Sequence, residues 1–198
     1  MANGKVCTGF SLPVVAKYTA SGTTVTYTDG MPLARGVEVS LSPESSDDNK
    51  FYANNGAAES APGTFTGGEV TLTVDGLKTA AERLILGLPE ATGDWIDFGD
   101  DQVIPYVGIG FVVRYMEDGV TSYTGFVLRK CRFQMPETSA ATQEDEIDWQ
   151  TQELTANIFR DDTAKHDWKS MTTDQTTEEA AYALVQAKLG ITSTAATT

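Results

Sequence analysis

Apolar and polar residues alternate with a period of two over several short stretches of this chain, the spacing that puts one face of a strand in a core and the other in water. After residue 32, Leu33, Val37, Val39 and Leu41 fall on one face and Ala34, Gly36, Glu38 and Ser40 on the other, with Arg35 the exception on the apolar side. Val70, Leu72 and Val74 oppose Glu69, Thr71 and Thr73 in the same way. These patterns predict strands over 33–41 and 64–74, and β-prone runs predict others over 13–18, 23–28, 104–117, 122–134, 147–159 and 166–171. Gly22, Asp29-Gly30, Asp75-Gly76, Glu117-Asp118-Gly119 and residues 161–165 supply turns between them.

Two stretches change period. Leu77, Ala81, Leu84, Ile85 and Leu88 recur at helical spacing, with Thr79 and Glu82 as a capping box and Gly87 and Pro89 as a stop. Near the C-terminus Thr176 and Glu179 form a second capping box, Ala181, Tyr182, Val185 and Leu189 make an apolar stripe, and Gly190 ends a helix over about 177–189. Neither period holds over 42–62, where Pro, Ser, Asp, Asn, Gly and Ala surround Phe51-Tyr52; this reads as a long loop whose aromatic pair serves either binding or local packing against the parent domain. Residues 191–198 are small and polar, a flexible tail. The expected fold is mainly β, a β-sandwich or partly open barrel with flanking α-helices, in a single domain over 1–190.

Composition narrows the function classes. With 198 residues, 40% hydrophobic and 21% charged, the chain is long and apolar enough to bury a core. A formal net charge of −14 argues against a generic grip on nucleic-acid phosphates, which needs clustered Lys and Arg. The two cysteines, Cys7 and Cys131, form no CxxC pair and have no neighbouring histidine to complete a zinc site, so reduced, buried thiols are expected. Residues 1–10 carry Lys5 but no apolar run of signal-peptide length, and no stretch approaches a membrane span, so assembly in a cytoplasm, away from membranes, is expected.

Candidate chemistry is thin. The single histidine, His166, stands in a polar run and reads as a surface residue. Acid pairs at Asp47-Asp48, Asp100-Asp101, Asp161-Asp162 and 144–146 fall in expected turns, where carboxylates are solvated. Asp94, Asp97, Asp100 and Asp101 lack the alternate-ligand spacing of a calcium loop. Gly108 and Gly110 sit inside a strand-like run and mark a bulge or a close packing contact rather than a phosphate loop. No catalytic residue, metal or cofactor is expected.

Five blocks in ordered spacing carry a more specific signal: 33–39 (LARGVEV), 47–54 (DDNKFYAN), 67–77 (GGEVTLTVDGL), 106–111 (YVGIGF) and 128–133 (LRKCRF). In these the sequence resembles the major tail proteins of long-tailed bacteriophages. The resemblance implies a structural virion subunit that forms hexameric rings, stacked into a tail tube assembled in the host bacterial cytoplasm. Its inner sheets would join into one barrel through which phage DNA passes without specific binding, and its other partners would be tail proteins such as the tape measure and tail terminator. It further implies that Asp47, Asp48, Asn49, Lys50, Phe51, Tyr52 and Asn54 belong to an inter-ring assembly loop. Relatives often carry an acid where this chain has Asn54. Glu38, Ser40, Glu69, Thr71 and Thr73, on the polar sides of their strands, would face the lumen. A baseplate or capsid decoration protein shares these bulk properties, and so does a glycan-binding β-sandwich module using Phe51, Tyr52 or Trp95 for stacking.

Overall fold

A computed structural model describes residues 4–53, 56–100, 102–142 and 149–191. The fold is mainly β with two flanking helices. Its strands are β1 (Val6–Ser21), β2 (Thr24–Pro32), β3 (Gly36–Ser45), β4 (Asn49–Ala53), β5 (Gly56–Ala61), β6 (Phe65–Val74), β7 (Val107–Glu117), β8 (Val120–Phe133), β9 (Gln152–Phe159) and β10 (Lys169–Met171). The helices are α1 (Thr79–Leu86) and α2 (Glu178–Lys188).

Eight strands form one antiparallel sheet in the order β2-β1-β7-β8-β9-β6-β3, with β10 also on β8. The 14-residue β8 is where the sheet turns on itself. One edge of β8 pairs with β7, while the other pairs first with β10 through residues 126–128 and then with β9 through residues 130–133. The two halves face each other across a shared core. Val15 of β1 and Ile109 and Phe111 of β7 meet Val70 and Leu72 of β6 and Leu154 of β9 in one buried cluster, into which α1 inserts Ala81, Ile85 and Leu86.

The run VGIGFVV of β7 is buried on both faces, as a near-continuous apolar strand requires. Its outward side lies under α2, whose Val185 and Leu189 pack on Val14, Ala16 and Val127. Glycines make the seat: a Cβ at Gly108 would come within 2.6 Å of Leu189, one at Gly125 within 2.5 Å of Val185, and one at Gly110 would also run into Val185. Gly108 also sits at a register shift between β7 and β8, so it serves a bulge and a packing contact together.

Several expected boundaries move, each for a local reason. β1 begins at Val6 rather than near residue 13, because irregularities after Cys7 and after Ser11 break the period-two pattern there. Asp29-Gly30 does not reverse the chain. It is a bulge inside β2, with Asp29 at φ 55°, while the β1–β2 hairpin turns at Gly22 as expected. Asp118 and Gly119, both with positive φ, close the β7–β8 hairpin as a two-residue turn of the primed kind.

Val37 is expected on the core face, but a register shift between Gly36 and Glu38 turns it outward, 55% exposed, and Arg35 belongs to the link before β3 rather than to the strand. Residues 42–62, expected as a loop, extend β3 to Ser45 and then form the β4–β5 hairpin, a separate two-stranded sheet. The last strand is shorter than 166–171, since His166 adopts φ 53° in a turn.

Neither expected capping box forms. Lys78 is the N-cap of α1 and makes no side-chain cap bond, while Thr177 rather than Thr176 caps α2, its hydroxyl accepting from Ala180 N–H. Cys131 is buried as expected, but Cys7 is exposed, and both thiols are free. They lie against opposite ends of β7, Cys7 opposite Tyr115 and Cys131 opposite Val107, about 26 Å apart along a strand and far beyond disulfide reach.

Candidate assembly surface

The register of four strands collects one polar face. Glu38 pairs with Thr73, Ser40 with Thr71 and Ser42 with Glu69 across β3 and β6. Thr73, Thr71 and Glu69 pair in turn with Glu153, Thr155 and Asn157 of β9. Arg132 of β8 lies opposite Asn157, and the next outward residue, Gln134, donates its backbone N–H to Thr155 O. Directly opposed residues point to the same side of a sheet, so the five expected lumen residues share a face with Ser42, Glu153, Thr155, Asn157, Arg132 and Gln134. The alternate positions Val70, Leu72, Val74, Leu154, Ala156 and Ile158 fill the core behind them.

The continuation onto β9 and β8 was readable in the alternation of residues 153–158 (ELTANI), but nothing in the sequence says that this strand adjoins β6. Charge on the face is mostly negative: Glu38, Glu44, Glu69 and Glu153 against Lys130, which pairs with Asp162, and Arg132, whose guanidinium stacks 4.0 Å over the Tyr106 ring. Gln134 reaches Glu69 at 3.5 Å. At one end the face opens into a trough of about 340 Å³ between Gln134, Glu137, Ser139, Thr151 and Glu153. Helix α2 covers the outside of the other half of the sheet. Among the described residues, no helix makes comparable contact with this half's outer face.

The β4–β5 hairpin rises at the end of β3 beside this face. Asp48 accepts from Gly63 N–H at 3.0 Å, Ser46 N–H donates to Thr64 O at 2.9 Å, and the Ser46 hydroxyl accepts from Thr64 N–H, so Asp48 closes the neck of the hairpin. Asp47 and Asn49 are exposed beside it. Lys50, Phe51 and Tyr52 lie along β4, opposite Ser60, Glu59 and Ala57, and Asn54 falls outside the described residues. Among the described residues, β4 and β5 neighbour each other extensively and no other element to a similar degree.

Compared by sequence, the chain matches no protein-family profile and no curated protein. Compared by structure, it is similar to the sheath/tube terminator of PVC, an extracellular contractile injection system, in its extended state. The two share 15% identity over 82% of this chain and 94% of the other, with a TM-score of 0.42. A likeness this distant decides nothing about function.

The densest polar cluster lies elsewhere and went unread in the sequence. Asp161, 1% exposed, forms an ion pair with Arg129, whose Nε lies 2.9 Å from Oδ2, and it accepts from the Thr163 hydroxyl at 2.6 Å. Arg129 also reaches Asp167 at 2.6 Å. Next door Asp162 takes Lys130 and the Tyr18 hydroxyl, each at 2.7 Å. Lys130, with Tyr18 behind it, holds the Asp162 carboxyl below the usual carboxylate range. Burial pushes Tyr27, whose hydroxyl donates to Arg129 O, up to about 12.

His166 places Nδ1 3.1 Å from Asp161 O and is exposed, within the loop these pairs hold down. The cluster ties 161–168 to β8 and β1. Among the described residues, no three His, Cys, Asp or Glu side chains group as a metal site, and no helix is long and apolar enough to cross a membrane.

Proposed function

We propose that this chain is a non-enzymatic structural subunit, the tube-forming major tail protein of a long-tailed bacteriophage. Six copies close into a ring, rings stack into a tube, and DNA passes through it. The observation that carries this reading is the four-strand polar face bordered by β3, whose second edge pairs with no strand among the described residues. A sheet edge of ten residues is a template for pairing, and closing it against a neighbour removes the hazard.

With four strands from each of six copies, about 24 strands would line the bore, more than the 16–18 that already leave an aqueous channel in a barrel. A wall of hydroxyls, amides and scattered carboxylates offers phosphates few counter-charges, so a duplex slides without sticking. Inter-ring contact falls to the β4–β5 hairpin. Tape-measure and terminator proteins are the further partners in this reading, and the host bacterial cytoplasm is the place of assembly.

The test uses thiol accessibility. In a Cys7→Ser background the remaining native thiol, Cys131, is buried. A Thr71→Cys chain is expected to react with a polymer-linked maleimide before assembly and to be shielded from it within tubes, while still reacting with a small maleimide. Leu184→Cys on the exposed side of α2, 46% exposed in the parent, is the outward control. Equal reaction of Thr71→Cys with the bulky reagent before and after assembly would contradict the lumen assignment.

A further inference from the structure

Two surfaces outside the polar face complement each other. The first is an apolar groove of about 690 Å³ among Leu12, Pro13, Met31, Ala34, Ala80 and Tyr182. Arg35, which shares its charge with Asp75, and the exposed Lys78 stand on its rim. Leu12 is held at φ 52° in the irregularity that follows Ser11, a conformation uncommon for leucine, and that irregularity leaves the side chain 39% exposed.

The second surface is the segment 89–103, which carries three exposed apolar side chains, Trp95 (76%), Phe98 (55%) and Val103 (75%), among the acids Asp94, Asp97 and Asp100. Three large exposed apolar residues within nine positions are a contact surface in waiting.

The loop is fastened to the C-terminal end of α1: Gln102 donates to Leu86 O at 2.8 Å and Glu90 pairs with Arg83 at 2.6 Å. The groove lies at the N-terminal end of the same helix, about 12 Å away along its axis. In this structure the loop therefore leaves its own groove open.

We propose that the occupant is a second copy of this chain: the 89–103 loop of one subunit seats Trp95 and its apolar neighbours in the groove of the next, with its aspartates beside Arg35 and Lys78. Charge favours this pairing, because on a chain of net charge −14 an apolar groove rimmed by Lys78 and the Arg35–Asp75 pair offers an acidic, aromatic loop both contact area and a cation. Groove and loop are different patches on one molecule, so the contact is head-to-tail, the kind that closes a ring when the rotation permits. The proposal deepens the ring reading above and rests on its self-association, but uses neither the β3 edge nor the hairpin.

The test is complementation between two full-length variants, followed by sedimentation velocity. Trp95→Asp disables the loop and leaves the groove. Leu12→Asn with Lys78→Glu disables the groove and leaves the loop; both positions are exposed, and asparagine tolerates the positive φ at position 12. Each variant alone is expected to need a concentration roughly tenfold or more above the parent's to associate, as for loss of a central aromatic anchor. At concentrations where neither variant associates alone, an equimolar mixture is expected to form one-to-one dimers that grow no further, since only one loop and one groove remain functional. Either variant associating like the parent, or a mixture that stays monomeric, would overturn the loop-in-groove contact while leaving the self-assembling subunit standing. A parent that stays monomeric at the highest concentration would overturn both.

Discussion

Asp161 is the residue most dependent on its neighbours. Its carboxylate is fully enclosed, and Arg129, itself only 12% exposed, is the cation facing it. Removing one member of such a pair leaves a buried charge uncompensated, so Arg129→Ala is expected to destabilise the fold by about 3–5 kcal/mol in denaturant titrations. Replacing both members with apolar residues of similar size, Arg129→Met with Asp161→Leu, should recover much of that loss. A double variant as unstable as the single one would show that the pair matters for something other than charge balance.

The neighbouring Asp162 gives a pH dependence of definite sign. Lys130 and Tyr18 depress its folded pKa below the unfolded value of 3.8, so its contribution to stability is present above that value and is lost as pH falls through the folded pKa. Unfolding midpoints of the parent should decline below about pH 4, and Asp162→Asn should flatten that decline without reversing it. None of this cluster could be read from the sequence, where Asp161-Asp162 is a pair of turn acids. Burial of Asp161 is set by the return of 161–168 onto β8, a tertiary contact without a local signature.

Among the elements, the β4–β5 hairpin is set apart from the core. Two strands alone are marginally stable in water, so a hairpin carried on a narrow neck gains order from a partner and contributes little to the domain that carries it. Replacing residues 49–61 with a short Gly-Ser linker while keeping Ser46, Asp48, Gly63 and Thr64 is expected to preserve cooperative unfolding within about 1 kcal/mol and to abolish tubes. Tubes of normal length from that variant would remove the hairpin from the inter-ring contact.

Sequence patterning performed unevenly at this scale, for physical reasons. Alternation found β6 and most of β3 because their faces divide cleanly between core and water. It missed the first half of β1 and the outward turn of Val37, because an extra residue in a strand flips every side chain beyond it. The hairpin was hidden by small residues, since Ala, Gly and Ser in β5 carry almost no β propensity of their own. Gly108 and Gly110 were legible as close contacts, but that the contact is α2 depends on the far end of the chain.

At the scale of the whole molecule, the sheet covers one of its outer faces with α2, while among the described residues the other stays polar, carries no helix and ends at β3, which pairs only with β6. The five polar residues expected from alternation in β3 and β6 do share that face. Its extension over β9 and β8 required the strand order, which pairs segments some 80 residues apart in the chain. Such long-range pairing is not encoded in any local window, and it turns two polar stripes into a continuous wall.

Negative-stain imaging of the full-length chain over a rising concentration series, followed by averaging of end-on views, addresses this most directly. The account predicts six-fold rings that stack into tubes around an open channel lined by β3, β6, β9 and the end of β8. Monomers at every concentration, or rings whose inner wall is formed by α2, would contradict it.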